Sequence, residues 1–397
     1  MLAKVLLRIM KFIFNLGRQS DISLAELYSV FGEQNLNPLS NNFAVLESDN
    51  IPENMEKIGG SYKLSTDPII LELTDWDNIS NIVSEYIKSG KDPSKKITFG
   101  LSIYNKEINP KEIHKIGFQI KKRLLKDINS CRYVENKDKE LNSAQIINNK
   151  LTKANNAEVN IIFDKNNIWI AKTIFIQNIT RYAARDFNRP FRDTKNGMLP
   201  PKLAQIIINM ATEDKRMTVL DPFCGTGVIL QEAMLMGNNI IGSDLNPRMV
   251  DYSIGNIKWL KTRFKIDQSI KKEFLVGDAQ VIKWPHFDTV ATETNLGAPL
   301  TNIPDRLHFD KIVKDAHRLI ESFLKNLSNQ LDAGKRICIA IPAWKLPNNS
   351  IKTLGIVDHL SDLGYNLIEF KELNSQELIY LRPDQVVGRQ LLALTRK

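Results

Sequence analysis

The sequence predicts an α/β protein whose C-terminal half folds as a doubly wound parallel sheet. From Pro201 onward, short apolar strands alternate with helical patterns, and this alternation is typical of such a sheet. A glycine-rich turn directly follows the first of these strands, and an acidic residue stands at the end of each of the first three strands. Ligands bind at the carboxyl edge of the strands in this fold class, so we expect a ligand site at that edge.

The length of 397 residues indicates several domains, because a single hydrophobic core rarely serves so long a chain. We predict a small α/β domain over residues 1–85, a second α/β domain over residues 86–176, a linker over residues 177–200 and the doubly wound domain over residues 201–397. The linker is rich in arginine and proline and contains Gly197, a composition that argues against regular structure throughout.

Local patterns place the individual elements. In the N-terminal half we expect strands at residues 11–16, 43–46, 97–104, 159–163 and 168–170, and helices at about 21–31, 110–125 and 144–151. In the C-terminal half we expect strands at 218–220, 239–243, 274–276, 289–291 and 337–341, helices beginning near 201, 225 and 247, and an antiparallel hairpin within 376–395. Asp21 or Ser23 is the expected cap of the first helix.

Several classes of protein are disfavoured by composition. No apolar run reaches the roughly 18 residues that a membrane helix needs, and the apolar N-terminus is interrupted by basic residues and lacks a secretory cleavage site. Cys131, Cys224 and Cys338 are widely spaced, which argues against a disulfide framework or a zinc site. We therefore expect a cytoplasmic protein without a membrane segment and without a bound metal.

The positive charge of the chain is concentrated in one segment. Residues 88–157 contain 16 Lys and Arg against 7 Asp and Glu, a surplus that equals the net charge of +9 for the whole chain. A confined basic surplus is typical of a module that binds a polyanion such as nucleic acid. A solvated lysine-rich surface would produce the same count, so charge alone leaves both interpretations open.

The strongest chemical motif is D-P-F-C-G-T-G at residues 221–227, between the first predicted strand of the sheet and the helix that follows. Glycines let a backbone approach a ligand closely, and a helix N-terminus favours an anionic group. A second acid, Asp244, ends the next strand, and a third, Asp278, ends the strand after it. A single strand-end aspartate is usually an ordinary cap, but three in succession beside a glycine turn predict a nucleoside cofactor.

S-adenosylmethionine fits this pattern better than a dinucleotide, because the turn lacks the third glycine of G-x-G-x-x-G. The stretch resembles motif I of class I methyltransferases that act on exocyclic amines. The resemblance implies that Asp221 contacts the methionine amino group, Asp244 the ribose and Asp278 the adenine. The full set of cofactor-binding residues that we predict is Asp221, Phe223, Gly225, Gly227, Asp244, Leu245, Asp278 and Ala279.

Further stretches are similar to one family. Residues 185–193 (R-D-F-N-R-P-F-R-D) and 197–204 (G-M-L-P-P-K-L-A) resemble the linker and cofactor lid of THUMP-domain tRNA guanosine N2-methyltransferases, which modify position 10 of tRNA. Residues 14–18 and 23–27 resemble the ferredoxin-like domain of that family, and residues 141–145 resemble its THUMP segment. The resemblance implies a ferredoxin-like unit, a THUMP-like RNA-binding domain and a Rossmann-like methyltransferase domain, with tRNA as the partner and the guanosine N2 amine as the methyl acceptor.

One motif departs from that family. Amine methyltransferases carry D-P-P-Y or N-P-P-Y after the fourth strand, whereas this chain has T-E-T-N-L-G at residues 292–297. Glu293 retains the acid, and Asn295 offers an amide acceptor, so we predict these two as the catalytic residues. The stacking aromatic is absent, which removes about 1–3 kcal/mol and slows transfer roughly 5- to 150-fold. Two alternatives remain: a weak or inactive methyltransferase-like protein that binds tRNA, and a DNA amine methyltransferase.

Overall fold

The computed structural model describes residues 9–193, 198–213 and 216–397. Gly197 of the predicted linker and most of the N-terminal extension, residues 1–8, lie outside the described residues. The chain divides into two compact units. The first comprises the chain up to Arg18, together with Gln34–Glu56 and Ser61–Thr180, and the second comprises Gln19–Glu33, Lys57–Gly60 and Arg181–Lys397. Helix α1 (Ser20–Phe31) therefore belongs to the second unit, although it lies near the N-terminus.

The first unit is built on one eight-stranded sheet. Its strands are β1 (Met10–Leu16), β2 (Leu36–Ser40), β3 (Phe43–Ser48), β4 (Ser61–Glu72), β5 (Ile97–Tyr104), β6 (Cys131–Val134), β7 (Ala157–Phe163) and β8 (Asn167–Ile176). The spatial order is β2-β3-β1-β4-β8-β7-β5-β6. Strand β5 runs parallel to β6 and β7, and the other neighbours are antiparallel.

Among the described residues of this unit, three helices accompany the sheet, and side chains cap each of them. They are α2 (Trp76–Lys88), α3 (Pro110–Leu124) and α4 (Ser143–Asn148). Asn109 and Glu112 form a capping box at the start of α3, and Asn142 and Gln145 form another at the start of α4. The apolar faces of α2 and α3 bury isoleucines and valine in one core with β5 and β7.

We predicted a boundary between two domains at residue 85. In the structure, strands from both sides of this boundary are hydrogen-bonded to one another. Strand β4 pairs with β1 on one side, where Phe12 faces Thr66, and with β8 on the other, where Leu64 faces Phe175. Strands from both predicted N-terminal domains thus share hydrogen bonds in a single sheet. The boundaries of the domains remain predictions, and the sheet itself gives no break at the first of them.

The second unit contains the predicted doubly wound sheet. Its helices besides α1 are α5 (Ile179–Phe187), which begins in the first unit, α6 (Pro201–Ala211), α7 (Val228–Leu235), α8 (Pro247–Arg263) and α9 (Arg306–Ser328). Its strands are β9 (Thr218–Asp221), β10 (Asn239–Asp244), β11 (Lys272–Val276), β12 (Thr289–Glu293), β13 (Arg336–Lys345), β14 (Ile351–Lys352), β15 (Tyr365–Leu367), β16 (Ile379–Tyr380) and β17 (Val387–Arg396). Short 3₁₀ turns occur at Glu33–Asn35, Met55–Lys57 and Ile356–His359.

The order of this sheet is β11-β10-β9-β12-β13-β17-β15, with β14 beside β13 and β16 beside β17. The first five strands are parallel, and β17 runs antiparallel between β13 and β15. Central strands read as continuous apolar runs, as in the buried stretch of β13, because helices cover parallel sheets on both faces. The carboxyl ends of β9, β10, β11 and β12 consequently lie along one edge.

Glu26 joins α1 to the rest of the second unit. It is fully buried, and its carboxylate accepts hydrogen bonds from the backbone N–H groups of Gly59 (2.8 Å) and Gly60 (2.7 Å) and from Nδ2 of Asn209 on α6 (2.7 Å). A Cβ at Gly60 would lie 2.8 Å from the Glu26 Oε2 atom, so this close approach requires glycine. Burial raises the pKa of Glu26 to about 7, and the three donors oppose that rise.

The α/β class, the parallel sheet and the closing hairpin are confirmed, and two local details were wrong. Asp21 and Ser23, the expected caps of α1, lie inside that helix, which begins at Ser20. Helix α7 begins at Val228, three residues later than predicted, because the preceding glycines adopt positive φ angles that interrupt a helix. Helix α5 occupies the first part of the predicted linker. Within the described ranges, no helix is long and apolar enough to cross a membrane.

Candidate active site

A cavity of about 620 Å³ opens at the carboxyl edge of the parallel strands. Nine of the ten predicted site residues line it, from the ends of β9, β10 and β12 and the turn after β11: Asp221, Phe223, Gly225, Asp244, Leu245, Asp278, Ala279, Glu293 and Asn295. Residues far apart in sequence therefore converge where the fold class predicts a ligand. Asp193 and Met198, which flank an undescribed part of the linker, also contribute to the lining.

The glycine turn after β9 has two different glycines. Gly225 lines the cavity with a φ of 49°. Gly227 is not among the lining residues, although we predicted a cofactor contact for it. Its φ is 78°, and a Cβ there would lie 2.7 Å from Oγ of Ser253 on α8. Gly227 thus permits close packing of the turn against a helix, which is a structural reason for the glycine.

Asp221 is the most buried acid of the cavity, with 2% of its surface exposed. Its Oδ1 atom accepts hydrogen bonds from the hydroxyl of Thr292 on β12 (2.6 Å) and from the backbone N–H of Phe223 (3.3 Å). Burial raises the pKa of Asp221 to about 7, against the opposing effect of these two donors. A cationic group bound beside Asp221 would stabilise the carboxylate form.

Asp244 holds the glycine turn as well as facing the cavity. Its Oδ2 accepts from the backbone N–H of Gly225 at 2.9 Å, and its Oδ1 accepts from the N–H of Asn246 at 2.9 Å. Asn246 in turn caps α8 through the N–H of Arg248. Each carboxylate oxygen has a second lone pair, so Asp244 can still accept from a ligand hydroxyl.

The third acid follows β11 in a tight turn. Oδ1 of Asp278 accepts from the backbone N–H of Gln280 at 3.0 Å, and the Gln280 side chain also donates to this carboxylate. Ala279 follows and is buried. Leu245 is 70% exposed and lines the cavity, which gives an apolar surface near Asp244. Phe223 packs edge-on against Phe323 of α9 with ring centroids 5.1 Å apart.

Glu293 ends β12 and is ion-paired with Arg389 of β17 through Nε and Oε1. The Arg389 side chain is 5% exposed, and that of Glu293 is 18% exposed on the cavity side. Burial raises the pKa of Glu293, and the charge of Arg389 opposes that rise. The cavity therefore contains a carboxylate with a dedicated cationic partner behind it.

The T-E-T-N-L-G motif at residues 292–297, called the altered motif below, ends β12 and continues into a loop that is hydrogen-bonded to β13. The backbone N–H and the hydroxyl of Thr294 both donate to the carbonyl of Ala340 on β13, at 2.9 and 3.2 Å. A proline in this position has neither donor. Oδ1 of the exposed Asn295 accepts from the N–H of Gly297 at 2.9 Å, so the predicted substrate acceptor already receives a bond from its own loop. Phe223 is the single aromatic among the described residues that line the cavity.

Three contributing residues were missed by sequence reasoning. Arg389 and Thr292 act through partners that are distant in the sequence, and no local pattern marks them. Asn256 of α8 is fully buried and connects the backbone of Phe191 to the carbonyl of Thr226 in the glycine turn. In the part of the chain that the structure describes, no group of three or more His, Cys, Asp or Glu could hold a metal ion.

Two family models match the chain. The model described as RMKL-like, methyltransferase domain matches residues 189–357, and one described as DNA methylase matches residues 75–255. The first includes every candidate site residue, whereas the second ends before β12 and Glu293. The fragment shared by both models contains the glycine turn and Asp244.

Two curated relatives are similar to part of the chain, and one solved structure shares its fold. A tRNA (guanine(10)-N2)-dimethyltransferase of Methanothermobacter thermautotrophicus is 30% identical over 161 residues, 41% of this chain and 43% of the relative. One of the same name from Pyrococcus abyssi is 32% identical over 163 residues, 40% of this chain and 41% of the relative. The chain thus spans less than half the length of either relative. The structure of TrmN from Thermus thermophilus is similar with a TM-score of 0.54 and 14% identity, covering 98% of this chain and 100% of that one, which shows the shared fold.

Proposed function

We propose that the chain belongs to the tRNA guanine-N2 methyltransferase family that these relatives represent, and that it transfers a methyl group from S-adenosylmethionine to the exocyclic N2 amine of a guanosine in tRNA. The observation that carries this proposal is the convergence of Asp221, Asp244, Asp278 and Glu293 on one cavity beside the glycine turn. The three aspartates suit a nucleoside cofactor. Glu293 has a different role, as a hydrogen-bond acceptor for the substrate.

The charge of the cavity favours this cofactor over a dinucleotide. Among the described residues that line it are five carboxylates and one basic side chain; the carboxylates are those of Asp193, Asp221, Asp244, Asp278 and Glu293. Such a site attracts a cationic sulfonium and repels a pyrophosphate. Bound there, S-adenosylmethionine supplies an electrophilic methyl group on a positively charged sulfur. Asp221 would hold the methionine ammonium, and Asp244 would accept hydrogen bonds from the ribose hydroxyls.

Glu293 orients the target amine. Its carboxylate accepts a hydrogen bond from the N2 amine, which points the nitrogen lone pair toward the methyl group. When the N–C bond forms and the S–C bond breaks, S-adenosylhomocysteine would leave and the amine nitrogen would gain a positive charge. The Glu293 carboxylate would stabilise that charge and accept the proton that the nitrogen then loses. Positioning of this kind supplies the acceleration. Asn295 contributes through the loop that it braces with Gly297.

The first unit supplies contacts to tRNA outside the target nucleotide. The last turn of α3 carries Lys121, Lys122 and Arg123, and Phe118 on the same helix is about half exposed. Basic side chains bind the phosphate backbone, and an exposed aromatic offers a stacking surface. Arg123 is partly committed to Asp77 of α2, so the two lysines carry most of the expected phosphate binding. This unit contains most of the residues of the predicted ferredoxin-like and THUMP-like domains, but Gln19–Glu33 and Lys57–Gly60 of the first of them belong to the second unit.

The match to a DNA methylase model supports a second candidate, a DNA amine methyltransferase. Both candidates use the same cofactor and an exocyclic amine. They differ in the nucleic acid, and one experiment separates them.

The experiment incubates the purified chain with S-adenosylmethionine and either unmodified tRNA transcript or DNA, followed by nuclease digestion and nucleoside mass spectrometry. We expect N2-methylguanosine from tRNA and no methylated base from DNA. Glu293→Gln is the control for transfer by this site. Methylation of DNA adenine or cytosine would replace the proposal with the second candidate. Tight tRNA binding without any methylated product would instead indicate a binding protein.

A further inference from the structure

Arg389 lies behind the cavity on a strand that the chain's cofactor motif does not include. Strand β17 is antiparallel to β13, where Arg389 faces Pro342, and to β16, where it faces Tyr380. The residue is 4% exposed, and its guanidinium lies 6.0 Å from the centre of the Tyr380 ring. Burying a cation this deeply carries a large desolvation cost unless a partner compensates it. Glu293 is that partner.

The ion pair uses only part of the Glu293 carboxylate. Its Oε1 atom receives the Arg389 Nε–H, and among the described residues no other hydrogen bond to this carboxylate is present. The side chain lines the cavity and is 18% exposed. Oε2 is therefore the oxygen available to a ligand. Since the Nε–H fixes Oε1, it also limits the directions in which Oε2 can point.

The surroundings of Glu293 otherwise favour the protonated acid. The Asp221 carboxylate on β9 repels the charge on Glu293, and Asp244 on β10 adds a negative charge beside Asp221. On β13 the register partner is the uncharged Ala340. On β16, the Tyr380 ring lies 6.0 Å from the Arg389 guanidinium. Arg389 is thus the cation that opposes both burial and the neighbouring carboxylates.

We propose that Arg389 is a positioning residue for the methyl transfer: it keeps Glu293 ionised by binding Oε1 and directs Oε2 to the target amine. This inference rests on the proposed function, since it assigns the amine as the ligand of Oε2. It extends that function because the strength of Glu293 as a hydrogen-bond acceptor then depends on Arg389, which lies outside the altered motif. A protonated Glu293 would present a poorer acceptor to the amine.

The test compares Arg389→Met, Arg389→Lys and the control Arg396→Met. Arg396 lies on the same strand and donates to the backbone carbonyls of Ser328 and Gly364, away from the cavity. Single-turnover methylation is followed from pH 5.5 to 9.5 with cofactor and tRNA saturating. A saturating cofactor keeps Asp221 paired, so that the acidic limb of the profile reports Glu293. Calorimetry of S-adenosylmethionine binding shows whether each variant is folded with an intact cofactor site.

We expect the acidic limb in Arg389→Met to move upward by at least about one pH unit, since an adjacent opposite charge shifts a carboxyl pKa by roughly 1–3 units. The rate at pH 6.5 should fall about tenfold or more and recover substantially near pH 9. Arg389→Lys should keep the limb close to that of the wild type with a reduced maximum rate. Arg396→Met should keep the whole profile. An unchanged limb in a folded Arg389→Met variant would overturn the proposal.

An infrared titration separates this inference from the proposed function. The carboxyl stretch of Glu293 is obtained by subtracting the spectrum of the Glu293→Gln variant from that of the wild type. The same subtraction is made with both proteins carrying Arg389→Met. We expect protonation at a higher pH when Arg389 is absent. If wild-type protein methylates no tRNA, the proposed function fails, and the positioning role fails with it even where the infrared shift appears. If methylation proceeds and the infrared shift is absent, only the inference about Arg389 fails.

Discussion

Each compact unit contains a carboxylate paired with a buried cation, and the Lys63–Glu158 and Arg389–Glu293 pairs differ in how completely the hydrogen bonds of the carboxylate are satisfied. In the first unit, Lys63 and Glu158 are both fully buried at 2.7 Å. Glu158 also accepts from the hydroxyls of Ser102 (2.5 Å) and Thr173 (2.6 Å), which occupies both of its oxygens. In the second unit, Glu293 receives one bond from Arg389 and keeps an oxygen at the cavity.

The comparison distinguishes two uses of the same chemistry. Lys63 donates further to the hydroxyl of Tyr104 and the amide oxygen of Asn160, so the network is closed across β4, β5, β7 and β8. A closed network of this kind specifies strand register and offers nothing to a ligand. The Glu293–Arg389 pair has the same charges, but an incomplete set of hydrogen bonds at a cavity wall. A carboxylate with an incomplete set of hydrogen bonds at a cavity wall is therefore the one that we expect to serve a ligand.

Breaking the closed network should give the largest loss of stability. Lys63→Met leaves the Glu158 charge buried without its cation, and we expect a loss of about 3–5 kcal/mol in the free energy of unfolding. Urea denaturation monitored by circular dichroism measures it. Lys11→Met removes a half-exposed pair with Glu47 on the same sheet and should cost less than about 1 kcal/mol. If Lys63→Met and Lys11→Met lost the same free energy of unfolding, burial would not determine how much each ion pair contributes to stability.

The open pair should respond in rate rather than in stability. Glu293→Gln retains an acceptor for Arg389 but removes the charge offered to the amine, so we expect the turnover number to fall at least about 100-fold. Cofactor affinity should stay within about twofold, and the stability loss should be smaller than for Lys63→Met. Glu321→Gln, on the exposed side of α9, is the matched control. A variant with normal turnover would remove Glu293 from the reaction.

A carboxylate with both oxygens already bonded to backbone can still serve a ligand, and Asp244 tests this. We expect Asp244→Ala to weaken S-adenosylmethionine binding roughly 10- to 150-fold, as loss of a charged hydrogen-bond partner costs about 1.5–3 kcal/mol. Isothermal calorimetry gives the dissociation constant. Asp251→Ala, on the exposed face of α8, should bind as the wild type does. Unchanged affinity in Asp244→Ala would restrict this residue to holding the glycine turn.

The smallest expected effect concerns pH. In the protein without cofactor, burial raises the pKa of Asp221 to about 7. Because the cofactor ammonium binds the carboxylate form, the affinity for S-adenosylmethionine should rise with pH until Asp221 is ionised. Between pH 6 and pH 7.5 we expect roughly a tenfold gain in S-adenosylmethionine affinity and release of a proton on binding. Calorimetry in buffers of different ionisation enthalpy measures both. In Asp221→Asn the affinity should be weak and nearly independent of pH in this range.

The parts of the site that sequence reasoning identified are local in the chain. The motif at 221–227 and the strand-end acids Asp244 and Asp278 were predictable because each follows an apolar strand within a few residues, and the fold class brings those ends together. Arg389 was not predictable, since it meets Glu293 across 96 positions of the sequence and belongs to a strand that is antiparallel to its neighbours. Gly227 looked like a ligand contact because its motif suggests one, whereas helix packing explains it.

The hydrogen bonds of Glu26 have a consequence for synthesis of the protein. Its partner Asn209 follows 183 residues later, and the two lie in the same compact unit. At the roughly 5–20 residues per second of translation, α1 leaves the ribosome about 10–40 s before α6 exists to receive it. Over that interval its apolar side chains lack their final neighbours. The nascent chain therefore carries an exposed apolar segment, in which every residue from Ile22 to Tyr28 is buried only in the finished fold. We expect the order of emergence to affect its susceptibility to chaperones and proteases.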